Sequence, residues 1–132
     1  MSGRPDRSGS PSLALWGPVV LYMALIFGLS SISSPPALPG RDMDKVVHAL
    51  LYALLSALIV RALAGGWRRV VTLRIAVLAV ALTTMYGVSD EIHQAFVPPR
   101  QPDALDVVAD GIGATLAAAT MYAGIIRGRD GT

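Results

Sequence analysis

Long apolar runs alternate with short polar clusters along this chain, and the alternation predicts four membrane-crossing helices. Ser8 to Gly40 is a run of 33 residues without a charge. Within it, Leu13 to about Ile32 is apolar enough to span a bilayer, which takes roughly 20 residues. Val46 to Val60, Ile75 to Ser89 and Gly111 to Ile126 follow, uncharged over 15, 15 and 16 residues. At about 1.5 Å per residue each covers only about 22–24 Å, short of a hydrocarbon core of about 30 Å. The helices must therefore run on through their bounding charges, and some charged groups must sit at the edge of the apolar core or below it. A soluble bundle would instead show a charged face on each helix. Leu50 to Val60 and Ile75 to Ser89 carry no charge on any face. The expected fold is all-α, an integral membrane four-helix bundle. Arg4 and Arg7 also give the first segment the look of a cleaved leader, but its apolar run is long for one, and Ser33 to Gly40 contains no A-x-A site.

The connections follow from the helix breakers. Pro35, Pro36, Pro39 and Gly40 make Ser33 to Asp42 a loop. Ala64 to Thr72 reads as a short turn with an interfacial Trp67, and Val97 to Asp103 (VPPRQPD) cannot be helical throughout. One domain over residues 13–126 is expected, between a polar N-terminal tail (1–12) and a C-terminal tail (127–132), with no internal repeat. Small residues recur at close-packing spacing: Ala49, Ala53 and Ala57, then Ala79, Thr83 and Gly87, then Gly113 and Ala117. Such faces let membrane helices approach closely within one bundle.

Composition agrees. Of 132 residues 53% are hydrophobic and 15% charged, against about a quarter charged in soluble domains. The absence of cysteine excludes a disulfide framework and a thiolate metal site. The net charge of +2 and a pI near 9.4 hint at an acidic partner, but the placement of the charges says otherwise. If the four segments alternate with the N-terminus inside, the inner side carries Arg4, Arg7, Arg61, Arg68, Arg69, Arg74, Arg127 and Arg129, eight of the 11 basic residues. That bias predicts cytoplasmic N- and C-termini. Seven of the nine acids fall on the other side: Asp42, Asp44, Asp90, Glu91, Asp103, Asp106 and Asp110. With Arg41, Lys45 and Arg100 the outer end is formally four negative charges in excess. The lipid bilayer, not nucleic acid, is the expected partner, and the sequence sets no oligomeric state.

Three polar groups converge on that end. Asp44, Lys45 and His48 enter the second helix, with Asp44 and His48 four apart on one face and Tyr52 continuing it. Tyr86, Gly87, Asp90, Glu91, His93 and Gln94 leave the third, with Gly87, Asp90 and Gln94 on one face. Arg100, Asp106 and Asp110 lead into the fourth. Asp42, Asp44 and Asp103 suit helix capping or solvation. Asp110 lies about two turns inside its helix, where a carboxyl costs roughly 2.5–3.5 kcal/mol and needs a partner or a role. Asp90 and Glu91 stand at a helix C-terminus, where the dipole disfavours negative charge. Their placement points to pairing or function. His48 suits a structural hydrogen bond or a functional one, and His93 suits solvent. Lys45 and Arg100 are the cations near enough to neutralise the acids, so a purely structural ion-pair network is the alternative to a site.

The ordered set Asp44-Lys45-x-x-His48-x-x-x-Tyr52, Tyr86-Gly87-x-x-Asp90-Glu91-x-His93-Gln94-x-Phe96, then Arg100, Asp106 and Gly113 resembles the VanZ-like family. The resemblance covers roughly Asp44 to Ala118. It implies a small multi-pass protein of the bacterial cytoplasmic (inner) membrane, within the cell envelope. The founding member is associated with low-level resistance to the glycopeptide teicoplanin, and the resemblance supplies no biochemical activity. Two positions depart from the pattern. Asp110 stands where an Asn is expected, adding a charge at depth, and Pro99 where a Gly is expected before Arg100.

Two functions are consistent with these residues. One is an envelope-facing binding or transfer protein that engages a lipid headgroup or cell-wall component through Lys45, Arg100, Gln94, Asp106 and Tyr52, with Asp90 and Glu91 beside them. The other is a membrane-embedded enzyme acting on a lipid or lipid-linked substrate. For it, Asp90, Glu91, His48 and Asp110 are the candidate catalytic groups, and Asp44, His48, Asp90, Glu91, His93 and Asp110 the candidate ligands of a divalent metal. Coupled transport is disfavoured, because the middle of every helix is uncharged. The topology is directly testable. In intact cells, Asp42→Cys and Asp103→Cys should react with an impermeant thiol reagent and Trp67→Cys should not; labelling of Trp67→Cys from outside reverses the orientation.

Overall fold

The computed structural model describes residues 11–40 and 42–129. It contains four helices: α1 (Pro11–Ser30), α2 (Met43–Ala64), α3 (Leu73–Gln94) and α4 (Ala104–Arg129). All four are long and apolar enough to cross a membrane. Each later helix runs through its bounding charges, as the length argument requires: α2 from Asp44 and Lys45 past Arg61, α3 from Arg74 past Asp90 and Glu91, α4 past Asp106 and Asp110. Most of the two tails expected from sequence, residues 1–10 and 130–132, lie outside the described residues. Pro11 and Ser12 already belong to α1, and α4 continues to Arg129 instead of ending before residue 127. Basic residues at a helix C-terminus complement its dipole, so nothing requires α4 to stop there.

Local chemistry fixes the helix ends. Gly65 closes α2 in the left-handed conformation (φ 86°), with its N–H on the carbonyls of Arg61 and Ala62. The Thr72 hydroxyl accepts from the Ile75 N–H at 3.2 Å and starts α3. Asp103 starts α4, its Oδ1 accepting from the Leu105 N–H at 2.9 Å. Asp44, one of the acids assigned to capping, is already inside α2. The cap position belongs to Asp42, whose side chain makes no capping bond.

The starts of α2 and α4 meet the ends of α1 and α3, so the helices alternate in direction and gather the polar residues at one end. α4 packs against both α2 and α3, while α1 leans on α2 and α3 and, among the described residues, makes no close approach to α4. The α2–α4 contact is the closest. A Cβ added at Gly113 would overlap the Ala49 backbone. The small face of α4 is Gly113, Ala114 and Ala118, all buried, so Ala118 takes the place that spacing alone gave to Ala117. Ser56 reinforces the seam by donating to the Ala114 carbonyl at 2.9 Å. Large apolar residues such as Leu21, Leu50 and Leu116 stay exposed and form the lipid-facing surface.

α1 carries no charge and is held by hydrogen bonds exchanged with its neighbours. Tyr22 donates to the Leu51 carbonyl (2.9 Å), and Tyr86 of α3 donates to the Met23 carbonyl (2.6 Å). At the other end the Arg61 guanidinium reaches the carbonyls of Ala14 and Leu15 and lies over the Trp67 ring.

Gly113→Ala tests the seam. The overlap should cost about 1–3 kcal/mol, read as a lower thermal midpoint in detergent. Gly124→Ala, which meets nothing within 4 Å, should not lower it.

Candidate functional site

The polar end is built around Lys45. Its ammonium donates to Asp44 (2.9 Å), Asp103 (2.8 Å) and Asp106 (2.6 Å), tying the first turn of α2 to the start of α4. The Lys45 ammonium, helped by the Leu105 N–H, holds the Asp103 carboxyl below its ordinary range. One turn deeper, His48 Nδ1 lies 2.9 Å from Asp110 Oδ1, while Nε2 faces Asp106 Oδ2 at 3.7 Å. Asp110 is fully buried. The partner that its depth demanded is therefore His48. Gly87 of α3 makes room for this pair, because a Cβ there would press on the Asp110 carboxyl. The Tyr52 ring stacks nearly parallel to the His48 ring at 6.2 Å and is itself buried.

α3 brings the other acids. Asp90, Glu91 and Gln94 are all buried. Glu91 Oε2 accepts the Asp103 backbone N–H at 2.8 Å, so the carboxylate at the end of α3 is anchored by main chain next to α4. Gln94 donates to Asp90 Oδ2 (3.3 Å) and to Ser30 Oγ of α1 (3.5 Å). Three buried carboxyl oxygens have no hydrogen-bond partner: Asp90 Oδ1, Glu91 Oε1 and Asp110 Oδ2. So does the Tyr52 hydroxyl. Unsatisfied buried polar atoms are costly, and these four belong to residues of the polar end, while Thr83 Oγ1 and Arg61 Nε are unpaired elsewhere in the bundle.

A cavity of about 460 Å³ opens beside these groups, between α1, the α1–α2 loop, α2 and the end of α3. Ile26, Leu29 and Leu51 form its apolar wall, and His48, Asp90, Gln94 and Arg100 line its polar part. Proline-rich loop residues 35–38 also border it.

Two of the sequence candidates sit differently from their expected roles. Arg100 makes no ion pair with an acid among the described residues. Its guanidinium instead donates to the carbonyls of Leu29, Ser30 and Ile32, closing the C-terminal end of α1. His93 is not turned to solvent. It is half-buried, stacks on Phe27 at 4.3 Å and bonds Ser31 Oγ at 2.9 Å. It thereby stands with α1, apart from the other candidate metal ligands. Among the described residues, the group able to hold a metal is His48, Glu91 and Asp106, whose ligand atoms lie within 4.8 Å of one another. Asp106, read from sequence as a ligand-binding residue, thus joins the potential metal set, while Asp44, Asp90, His93 and Asp110 stand outside it. Ser30 and Ser31, uncharged at the end of an uncharged run, gave no sequence signal. Only the packing of α1 against α3 reveals them.

Four membrane-spanning helices with a buried acid–histidine cluster at one end define a small multi-pass membrane protein. The chain belongs to the VanZ/LLP1 family, whose model matches residues 13–127. No curated protein and no solved structure matches it.

Lys45→Met leaves Asp44, Asp103 and Asp106 without their shared cation. Exposure of about a quarter of the Lys45 side chain (24%) moderates the loss, which should fall near 1–3 kcal/mol in thermal unfolding. Asp106→Asn in the same background should recover part of it; an unchanged midpoint for Lys45→Met would remove the cation from its structural role.

Proposed function

We propose that this protein binds the headgroup of a lipid, or of a lipid-linked cell-wall component, at the outer leaflet of the bacterial cytoplasmic membrane. The observation that carries the reading is the cavity beside the buried acids, which joins an apolar wall (Ile26, Leu29, Leu51) to a polar part (His48, Asp90, Gln94, Arg100). An amphiphile matches such a surface: its acyl portion lies along the wall and its headgroup meets the polar side chains. Carboxylates and an amide suit hydroxyl-bearing headgroups, which donate to Asp90 and accept from Gln94. The excess of arginine at the Trp67 end supports an orientation with the polar end outward. Lys45 belongs to this reading as the cation that sets the positions of Asp103 and Asp106, and Arg100 as the group that holds the end of α1 against the cavity.

A second reading, an enzyme acting on a lipid or lipid-linked substrate, is favoured by the His48–Asp110 pair. A carboxylate that orients an imidazole is a common arrangement for general acid–base work. Asp90 and Glu91 are the further candidates for that chemistry. The founding member's association with glycopeptide resistance is a reason to include a glycopeptide among the ligands tried.

The test is lipid analysis of the detergent-purified protein. Wild type should retain a headgroup class enriched over the bulk membrane, and Asp90→Asn and Gln94→Leu should lose most of that enrichment. Identical lipid profiles for wild type and both variants would overturn headgroup binding at this cavity. Turnover of the retained lipid by wild type, absent in His48→Gln, would select the enzyme.

A further inference from the structure

We infer that His48, Glu91 and Asp106 form a binding site for a divalent transition-metal ion, with Asp110 as the residue that orients His48. The three residues come from three helices, and each offers a ligand atom within 4.8 Å of the others. A tetrahedral ion with bonds of about 2.0–2.2 Å spaces its ligand atoms about 3.4 Å apart.

The hydrogen-bond assignments leave the right atoms free. His48 uses Nδ1 for Asp110, so Nε2 is available. A metal-bound histidine ordinarily gives its second nitrogen to a carboxylate in this way, which fixes tautomer and ring direction. Asp106 gives Oδ1 to Lys45 and turns Oδ2 toward His48 Nε2. Glu91 gives Oε2 to the Asp103 N–H, and its Oε1 has no partner although the residue is only 6% exposed. This orphaned oxygen is the independent sign of a missing ligand. Without one, a buried acceptor is left bare in a bundle surrounded by lipid, where internal satisfaction matters most.

Charge points the same way. Asp90, Glu91, Asp106 and Asp110 are all buried, and the one lysine or arginine among the described residues that pairs with any of them is Lys45, on Asp106. Lys45 is also occupied by Asp44 and Asp103, further toward the surface. A dication offsets part of the remainder. One imidazole and two carboxylates suit Mn²⁺, Co²⁺ or Zn²⁺ better than Ca²⁺ or Mg²⁺, which favour all-oxygen sets. His48 also lines the cavity, so an ion on its Nε2 sits next to the proposed headgroup site. The metal site rests on its own geometry and does not require that headgroup reading.

The experiment is equilibrium dialysis of the full-length, detergent-purified protein against MnCl₂ or ZnCl₂, followed by elemental analysis. Wild type should take up one ion per chain. His48→Gln and Glu91→Gln should bind at least tenfold more weakly, and Asp110→Asn about 10–100-fold more weakly. Asp42→Asn, at the exposed start of α2, should match wild type. Because substitutions at buried positions can unfold the protein, pulsed electron paramagnetic resonance of Mn²⁺-loaded wild type provides a second readout, with coupling to a single imidazole nitrogen expected. Substoichiometric uptake by wild type, absence of nitrogen coupling, or full uptake by folded Glu91→Gln would each overturn the site. Lipid retention measured on the same samples separates this outcome from the fate of the headgroup reading.

Discussion

A carboxylate surrounded by hydrocarbon has to find its partner inside the protein, and much of this structure is arranged around that requirement. Asp110 is fully buried and lies beyond the reach of Lys45, which already holds three other acids. Its partner is His48, across the α2–α4 seam. The 2.9 Å separation requires the two helices to approach closely, and Gly113 against the Ala49 backbone permits it. Gly87 then lets α3 come up to the same carboxyl. The polar cluster and the small-residue faces are thus one device: the glycines determine how near the helices come, and the acid–histidine pair makes that distance count.

The fold was legible because membrane helices announce themselves by length and continuous apolarity. The shortness of the uncharged runs even required the charges at their ends to be submerged, and Asp110 and Glu91 are. The ends were less clear. Nothing in the sequence distinguishes Asp42 from Asp44 as the residue before α2, since both are acids in a loop that leads into apolar sequence. Ala117 and Ala118 are likewise indistinguishable by residue type, and only the rotation of α4 about its axis selects the second.

The candidate site was legible as a set of residues and not as a set of pairs. Residues four apart on one helix can be placed on one face, so the grouping of Asp90 with Gln94 followed from spacing. Which acid meets which cation depends on register between helices, and the sequence does not contain it. Arg100 illustrates the limit. Its charge invited a carboxylate partner, yet it satisfies the exposed carbonyls at the end of α1. His93 shows the same limit: its partners, Phe27 on α1 and Ser31 just after it, belong to a segment with no charge to draw attention to it. Uncharged surroundings conceal a polar contact from any reading based on charge.

α1 stands apart from the other helices. Among the described residues it makes no close approach to α4; Tyr86, Arg61 and Arg100 reach its backbone carbonyls, its own Tyr22 donates to α2, and Val19 and Ile26 pack in the core. Every residue type supplies a carbonyl. The attachment of this helix is therefore largely indifferent to which side chains α1 carries on its lipid side, and so are its depth and tilt. Changes on that outer face leave the hydrogen bonds that hold α1 beside the cavity in place.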